Sequence, residues 1–287
     1  SMIPFLQYSE NRELREEIYD AYCMRGNNDN EQDNKAIITE MANLRIEKAH
    51  LLGFPSYAAY QLDDRMAKTP DAVYELLDQV WEKALPVARQ EREEMQAIMD
   101  AEGGDFELTA SDWWFYAEKL RKEKYDMDES EIRPYMELNQ VINGVFTVST
   151  RLFGISFHKI ETDFPKPHPD AEVFEVFDAD SSFLGILYMD YFTRPTKAQG
   201  AWCGRYRSQH KTKNEDIRPV VTIVTNFANP VNDGPVLLSL DQTETLFHEF
   251  GHALHNLLSD VAYKSISCTR VKRDFVELPS QIMENWA

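Results

Sequence analysis

Residues 245–255 read Thr245-Leu246-Phe247-His248-Glu249-Phe250-Gly251-His252-Ala253-Leu254-His255 and contain the pattern His-Glu-x-x-His. Residues four apart on a helix differ by about 40° around its axis and about 6 Å along it, so the imidazoles of His248 and His252 face the same side. Two imidazoles at this spacing are typical ligands of zinc. Glu249 lies about 100° away from His248, where its carboxylate can accept a proton from water at the metal. The pattern therefore predicts a helix that carries a catalytic zinc site.

The residues around the motif continue the helical period. Asp241 followed by Glu244 resembles a capping box, which predicts the start of the helix, and apolar residues recur through Leu254 and Leu257. His255 is interpreted as a hydrogen-bonded helix residue and not as a ligand. The motif thus lies well inside a predicted amphipathic helix.

A catalytic zinc ion takes three protein ligands and keeps one position open, so a further His, Glu or Asp is expected nearby. Glu277, on what reads as the next helix, ranks first by its spacing from the motif. Asp260 and Glu284 stay open as alternatives. Asp274 is predicted either to cap the second helix or to accept the outer N–H of a ligating histidine.

The rest of the chain predicts a mainly α fold with a small β-sheet. Residues 1–154 show apolar side chains at helical spacing, and the stripe formed by Ile37, Met41, Leu44 and Leu51 is predicted to face a core. Short β-branched and aromatic runs at 173–177, 184–189 and 220–225 predict strands. The expected division is a helical region at 1–154, a sheet with loops at 155–240 and zinc-binding helices at 241–287, all parts of one catalytic region.

Composition excludes several classes of function. The 287 residues carry a net charge of −19 with no compensating basic run, so no nucleic-acid partner is expected. No segment approaches the ~20 apolar residues of a membrane-spanning helix, so no membrane partner is expected either. Three widely spaced cysteines favour a reducing compartment. A cytoplasmic location is therefore expected. The natural N-terminus of the protein is expected to be absent from this sequence.

Several stretches together resemble the thimet-oligopeptidase-like zinc metallopeptidases, family M3, and most closely their bacterial peptidyl-dipeptidase branch. The segment 245–255 resembles the family's signature, and 274–281 resembles its third-ligand segment. Further similar stretches lie upstream, at 52–54, 112–119, 151–155 and 200–203. The resemblance covers nearly the whole chain.

This resemblance implies a zincin-like fold with one zinc ion per chain, bound by His248, His252 and Glu277, and with Glu249 as general base. It implies a hydrolase of short peptides that releases C-terminal dipeptides. An alternative within the family is an oligopeptidase that cuts internal bonds. An alternative of another class is a helical module that binds a peptide or protein without hydrolysing it.

Two departures from the family pattern affect these expectations. The family continues well past the third ligand and places its oxyanion-stabilising residues there, so this chain is expected to be a fragment, incomplete at its C-terminus. Cys268 stands where the family usually has glycine, which predicts a differently shaped loop between the two metal-bearing helices. The strand at 220–225 is predicted either to pair with an extended peptide through a free edge or to lie inside the sheet.

Overall fold

The computed structural model describes residues 2–125, 129–161, 164–230, 232 and 234–287. The chain forms two compact units, Ser1–Asp128 and Glu129–Ala287. The sequence pattern instead divides the chain after residues 154 and 240, and that division stays a prediction. In the described ranges, no helix combines the length and the apolar character needed to cross a bilayer.

The first unit is helical. Its helices are α1 (Met2–Tyr8), α2 (Arg12–Cys23), α3 (Lys35–Leu51), α4 (Tyr57–Asp63), α5 (Pro70–Ala101) and α6 (Trp113–Tyr125). The C-terminal part of α5 packs against α6 around a small apolar core that contains Met95, Met99, Leu108 and Tyr116. Trp113 and Phe115, at the start of α6, pack at the edge of this cluster.

The predicted core face of α3 is wrong for the structure described here. Its four apolar residues stay between 45% and 87% exposed, and Ala49 is the buried residue of this helix. Helical periodicity shows that a helix has an apolar face, but the position of a packing partner depends on residues far away in sequence. Helix α3 makes its most extensive contact with the short α4.

In its described residues, the second unit joins four helices to two sheets. The helices are α7 (Glu129–Ile132), α8 (Leu138–Phe153), α9 (Leu240–Leu257) and α10 (Leu278–Glu284), with short 3-10 helices at Arg133–Tyr135 and Lys264–Ile266. The strands are β1 (Ser156–Lys159), β2 (Glu172–Phe177), β3 (Phe183–Phe192), β4 (Trp202–Arg207), β5 (His210–Lys211), β6 (Asp216–Ile217) and β7 (Val220–Phe227). About half of the described chain is thus helical and its main sheet is small and mixed, and the three predicted strands lie in β2, β3 and β7.

The main sheet has the strand order β1-β2-β3-β7-β4. Strands β3 and β7 are parallel, whereas the other neighbouring strands are antiparallel. Strand β7 therefore lies between β3 and β4, so the hypothesis that residues 220–225 offer a free edge to a peptide is wrong. The edge on this side of the sheet belongs to β4. The sheet, α8 and α9 share one apolar core that includes Val145, Leu187, Ile223 and Phe250.

The start of α9 differs from the prediction. Ser239 caps the helix: its Oγ accepts a hydrogen bond from the N–H of Gln242 at 3.1 Å, and its own N–H donates to Gln242 Oε1 at 3.0 Å. The predicted box of Asp241 and Glu244 has the same spacing, shifted by two residues. Because the Ser239 pair satisfies two backbone donors at once, it fixes the helix start.

Candidate metal centre

Helix α9 is held against the sheet by its apolar face. Phe250 is fully buried, and its ring centroid lies 5.8 Å from that of Phe146 and 5.6 Å from that of Phe157. This packing fixes the rotation of the helix about its own axis. His248 and His252 consequently lie side by side, with their ring centroids 4.9 Å apart and their planes at 88°.

Helix α10 brings Glu277 to these two imidazoles. Glu277 is the residue before the first turn, and its side chain makes no capping hydrogen bond, so the carboxylate is available to the histidines. Its Oε2 lies 2.9 Å from Nε2 of His252 and 3.4 Å from Nε2 of His248. Among the described residues, these three are the group whose ligand atoms converge closely enough to hold a metal ion.

The donor set fits zinc. Zinc binds imidazole nitrogen and carboxylate oxygen at about 2.0–2.2 Å, so two ligand atoms of a tetrahedral site lie roughly 3.3 Å apart. The two measured separations from Oε2, 2.9 and 3.4 Å, are close to that value. Two nitrogens and one oxygen also leave a fourth position open, as in catalytic zinc sites.

The other candidate carboxylates lie elsewhere. Asp260, in the loop that follows α9, pairs with Lys211 at 2.6 Å. Glu284 contacts the outer nitrogen of His248, with Oε1 at 2.6 Å from Nδ1. Asp274 is exposed, whereas Nδ1 of His248 faces Glu284 and Nδ1 of His252 is without a hydrogen-bond partner in the described part of the chain. Glu284 therefore occupies the outer nitrogen of His248, and the role of Asp274 stays a prediction.

Glu284 fixes the orientation of His248. A neutral imidazole that donates from Nδ1 presents the lone pair of Nε2 on the opposite side, which here is the side of Glu277. Sequence reasoning considered Glu284 only as a ligand. Glu284 follows Glu277 by seven residues, which is about two helical turns, so the two residues share a face of the helix. This spacing could have indicated that both carboxylates point toward α9.

Glu249 lies beside this group without belonging to it. The residue is 7% exposed, and its Oε2 has no hydrogen-bond partner in the described residues. Burial raises the pKa of the Glu249 carboxyl, and the nearby charge of Glu277 acts in the same direction, whereas His248 and the backbone N–H of Cys203 oppose it. A buried carboxylate with raised pKa and a free oxygen has the properties of a general base.

His255 is close to the centre but stays outside it. Its Nδ1 is buried and unpartnered in the described ranges, and burial lowers the pKa of its imidazole. Burial likewise lowers the pKa of His252, which favours the neutral ring that metal ligation requires. The interpretation of His255 as a residue that does not ligate agrees with its absence from the convergent group.

Removing the carboxylate of Glu284 is expected to weaken zinc binding roughly 10–100-fold, because His248 loses the partner that holds its ring. Glu284→Ala is therefore expected to lie between the unsubstituted chain and His248→Ala, which removes a ligand outright. The measurement is the zinc dissociation constant from competition with a chromogenic chelator. Glu244→Ala, an exposed carboxylate on α9, is the control. Unchanged zinc affinity in Glu284→Ala would show that Glu284 does not support the site.

Comparison with known proteins places these residues in a wider context. The sequence pattern of peptidase family M3 matches residues 5–287. The chain is 43% identical to the dipeptidyl carboxypeptidase of Salmonella typhimurium over 99% of its own length, and 42% identical to that of Escherichia coli. It is 37% identical to oligopeptidase A of Escherichia coli over its full length. The chain spans 41–43% of the length of these relatives.

Proposed function

Because the chain belongs to peptidase family M3, we propose that it carries the zinc-binding part of a metallopeptidase that removes dipeptides from the C-terminus of short peptides. The observation that supports this most strongly is the convergence of His248, His252 and Glu277 next to the buried Glu249. The similarity to two dipeptidyl carboxypeptidases supports the release of dipeptides. The location in the cytoplasm stays a prediction.

The residues of the centre have two different roles in the proposed reaction, metal binding and proton transfer. His248, His252 and Glu277 would hold the ion. Zinc, when bound, supplies Lewis acidity that makes a coordinated water more acidic and polarises a peptide carbonyl. Glu249 accepts the proton of the attacking water and then delivers it to the leaving amine. Its raised pKa suits this role, because the carboxyl must take up a proton and release it in the same cycle.

The edge of β4 offers a place for the substrate backbone. β4 pairs with β7 on one side, and no described strand pairs with its other side. The backbone N–H of Cys203, in this strand, lies close enough to the Glu249 carboxylate to oppose the rise of its pKa, so the strand runs past the proposed general base. An extended peptide that adds to this edge would lie with a peptide bond beside the centre.

A second candidate is an oligopeptidase that cuts internal bonds. The 37% identity to oligopeptidase A over the whole chain favours it. The two activities differ in their products, because a peptidyl-dipeptidase shortens its substrate by two residues at a time from the C-terminus. A module that binds peptides without hydrolysis would yield no products at all.

The test uses an N-acetylated peptide, the zinc-loaded chain, and a version extended to the length of its relatives. Mass spectrometry of the products is expected to show a ladder that loses two residues per step. Fragments from internal cleavage would favour the oligopeptidase instead. Chelator-treated protein is the control and should give no products. The absence of cleavage by either zinc-loaded version would contradict the proposed function and favour the binding module.

A further inference from the structure

Gly251, between the two histidines, faces the backbone at the start of α10. A Cβ built on Gly251 would lie 2.5 Å from Cα of Ser280, 2.7 Å from the carbonyl oxygen of Pro279 and 3.0 Å from the N of Ser280. All three atoms belong to the backbone, so they cannot swing aside as a flexible side chain would. The missing side chain at Gly251 is therefore what lets the start of α10 rest on α9.

Ser280 connects this contact to the carboxylate of Glu277. The residue is fully buried, and its Oγ lies 2.8 Å from the carbonyl oxygen of Glu277 and 3.0 Å from Oε2 of the same residue. That Oε2 is the atom that faces Nε2 of both histidines. The hydroxyl of Ser280 thus donates to the oxygen that would ligate the metal, or to the carbonyl beside it, and in both cases restrains the Glu277 side chain.

We propose that Gly251 and Ser280 are positioning residues that set the place of the third metal ligand relative to the other two. This inference rests on the proposed function, since it assumes that His248, His252 and Glu277 bind zinc. Gly251 fixes the distance between the backbones of α9 and α10. Ser280 sits at that contact and aims the Glu277 carboxylate at the two imidazoles.

The close approach of Gly251 to Ser280 and the narrow range of zinc–ligand distances together explain why Gly251 and Ser280 would control the metal site. Ordinary van der Waals contact begins near 3.4 Å, so a Cβ at 2.5 Å forces Ser280 to retreat by most of an ångström. Zinc sites hold their ligand distances within about 0.2 Å. A shift of the Ser280 backbone also moves Glu277, three residues earlier. The expected displacement is larger than the variation that zinc–ligand distances allow.

The test compares zinc affinity in matched pairs of variants. Gly251→Ala and Ser280→Ala are each expected to raise the zinc dissociation constant roughly 10–100-fold, as loss of supporting contacts does in other metal sites. Gly144→Ala is the control for the first change, because Gly144 also lies in a helix and its Cβ would meet nothing within 4 Å. Ser149→Ala is the control for the second, because Ser149 is buried and its Oγ donates to a backbone carbonyl at 2.8 Å.

A spectroscopic measurement separates positioning from general loss of structure. Cobalt(II) replaces zinc, and its visible absorption depends on the number and geometry of its ligands. We expect Gly251→Ala and Ser280→Ala to change the position or intensity of these bands at saturating cobalt, and the two control variants to keep the bands of the unsubstituted chain. Circular dichroism checks that each variant is folded.

The outcomes distinguish this inference from the proposed function. If the unsubstituted chain binds no zinc, the proposed function is contradicted, because His248, His252 and Glu277 then do not form a zinc site. If it binds zinc and both Gly251→Ala and Ser280→Ala bind it equally well with unchanged cobalt spectra, the positioning role is overturned while the metal site stands. If Gly251→Ala does not fold, the Ser280→Ala result decides.

Discussion

Replacing Glu249 by glutamine is expected to lower turnover by roughly 10²–10⁴-fold while zinc stays bound. Glutamine has nearly the shape of glutamate but cannot accept the proton of the attacking water. Glu249 is outside the convergent group of predicted ligands, so its replacement leaves those three side chains in place. The measurement is the turnover number on the N-acetylated peptide, in whichever version of the chain hydrolyses it, together with the zinc content by mass spectrometry.

The control for this change is Glu244→Gln on the same helix. Glu244 is exposed, so its substitution is expected to leave both turnover and zinc content unchanged. Full activity of Glu249→Gln would remove Glu249 from the role of general base. Loss of both activity and zinc would instead assign Glu249 to the support of the metal site.

Replacing Asp112 by alanine is expected to lower the free energy of unfolding by about 3–5 kcal/mol, because it leaves a buried guanidinium without its counter-charge. Asp112 and Arg15 are both buried, with Oδ1 at 2.8 Å from Nη2. Arg12 and the hydroxyl of Thr109 also donate to the carboxylate, at 3.1 and 2.8 Å. The carboxylate therefore holds the start of α6 to α2.

Urea denaturation followed by circular dichroism measures this loss. Glu82→Ala is the control, because Glu82 and its partner Lys83 are both largely exposed and such pairs contribute little. A change in the free energy of unfolding below about 1 kcal/mol in Asp112→Ala would show that water or other side chains take over the role of the carboxylate.

The same carboxylate gives the stability a defined dependence on pH. Burial opposes the ionisation of Asp112, but the hydrogen bonds from Arg15, Thr109 and Arg12 outweigh it, so the pKa of the carboxyl lies below its ordinary value. A lowered pKa in the folded state means that the contribution is complete above the ordinary pKa of about 3.9 and disappears as the pH falls through the folded-state value. Acid should therefore destabilise the unsubstituted chain more than Asp112→Ala.

The sequence predicted what depends on short spacing along the chain. The helix of His248 and His252 and the strands β2, β3 and β7 follow from local periodicity, and the structure brings Glu277 to the two histidines as its spacing suggested. The sequence did not single out Glu284 as the partner of the outer nitrogen of His248, or Ser239 as the cap of α9, because other residues had equally suitable positions along the chain. The packing of α10 on α9 places Glu284 at His248, and the hydrogen bonds between Ser239 and Gln242 set the start of α9.

Features that join distant residues had no signal in the sequence. The pairing of Arg15 with Asp112 spans 97 positions and is set by how the helices of the first unit pack. The order of the strands likewise decides that β4, and not β7, has the free edge. The exposed stripe of α3 shows the same limit, because a repeat of apolar residues specifies a face and not the partner that covers it.

X-ray absorption spectroscopy of the zinc-loaded chain, at one zinc ion per chain, tests whether His248, His252 and Glu277 bind the ion. We expect a first coordination shell of nitrogen and oxygen only, at about 2.0–2.2 Å, with the multiple-scattering signature of two imidazoles. His252→Ala is expected to lose one imidazole from that signature. A sulfur shell near about 2.3 Å would place the ion at a cysteine, and either this result or a failure of the chain to take up zinc would show that these three residues do not form a zinc site.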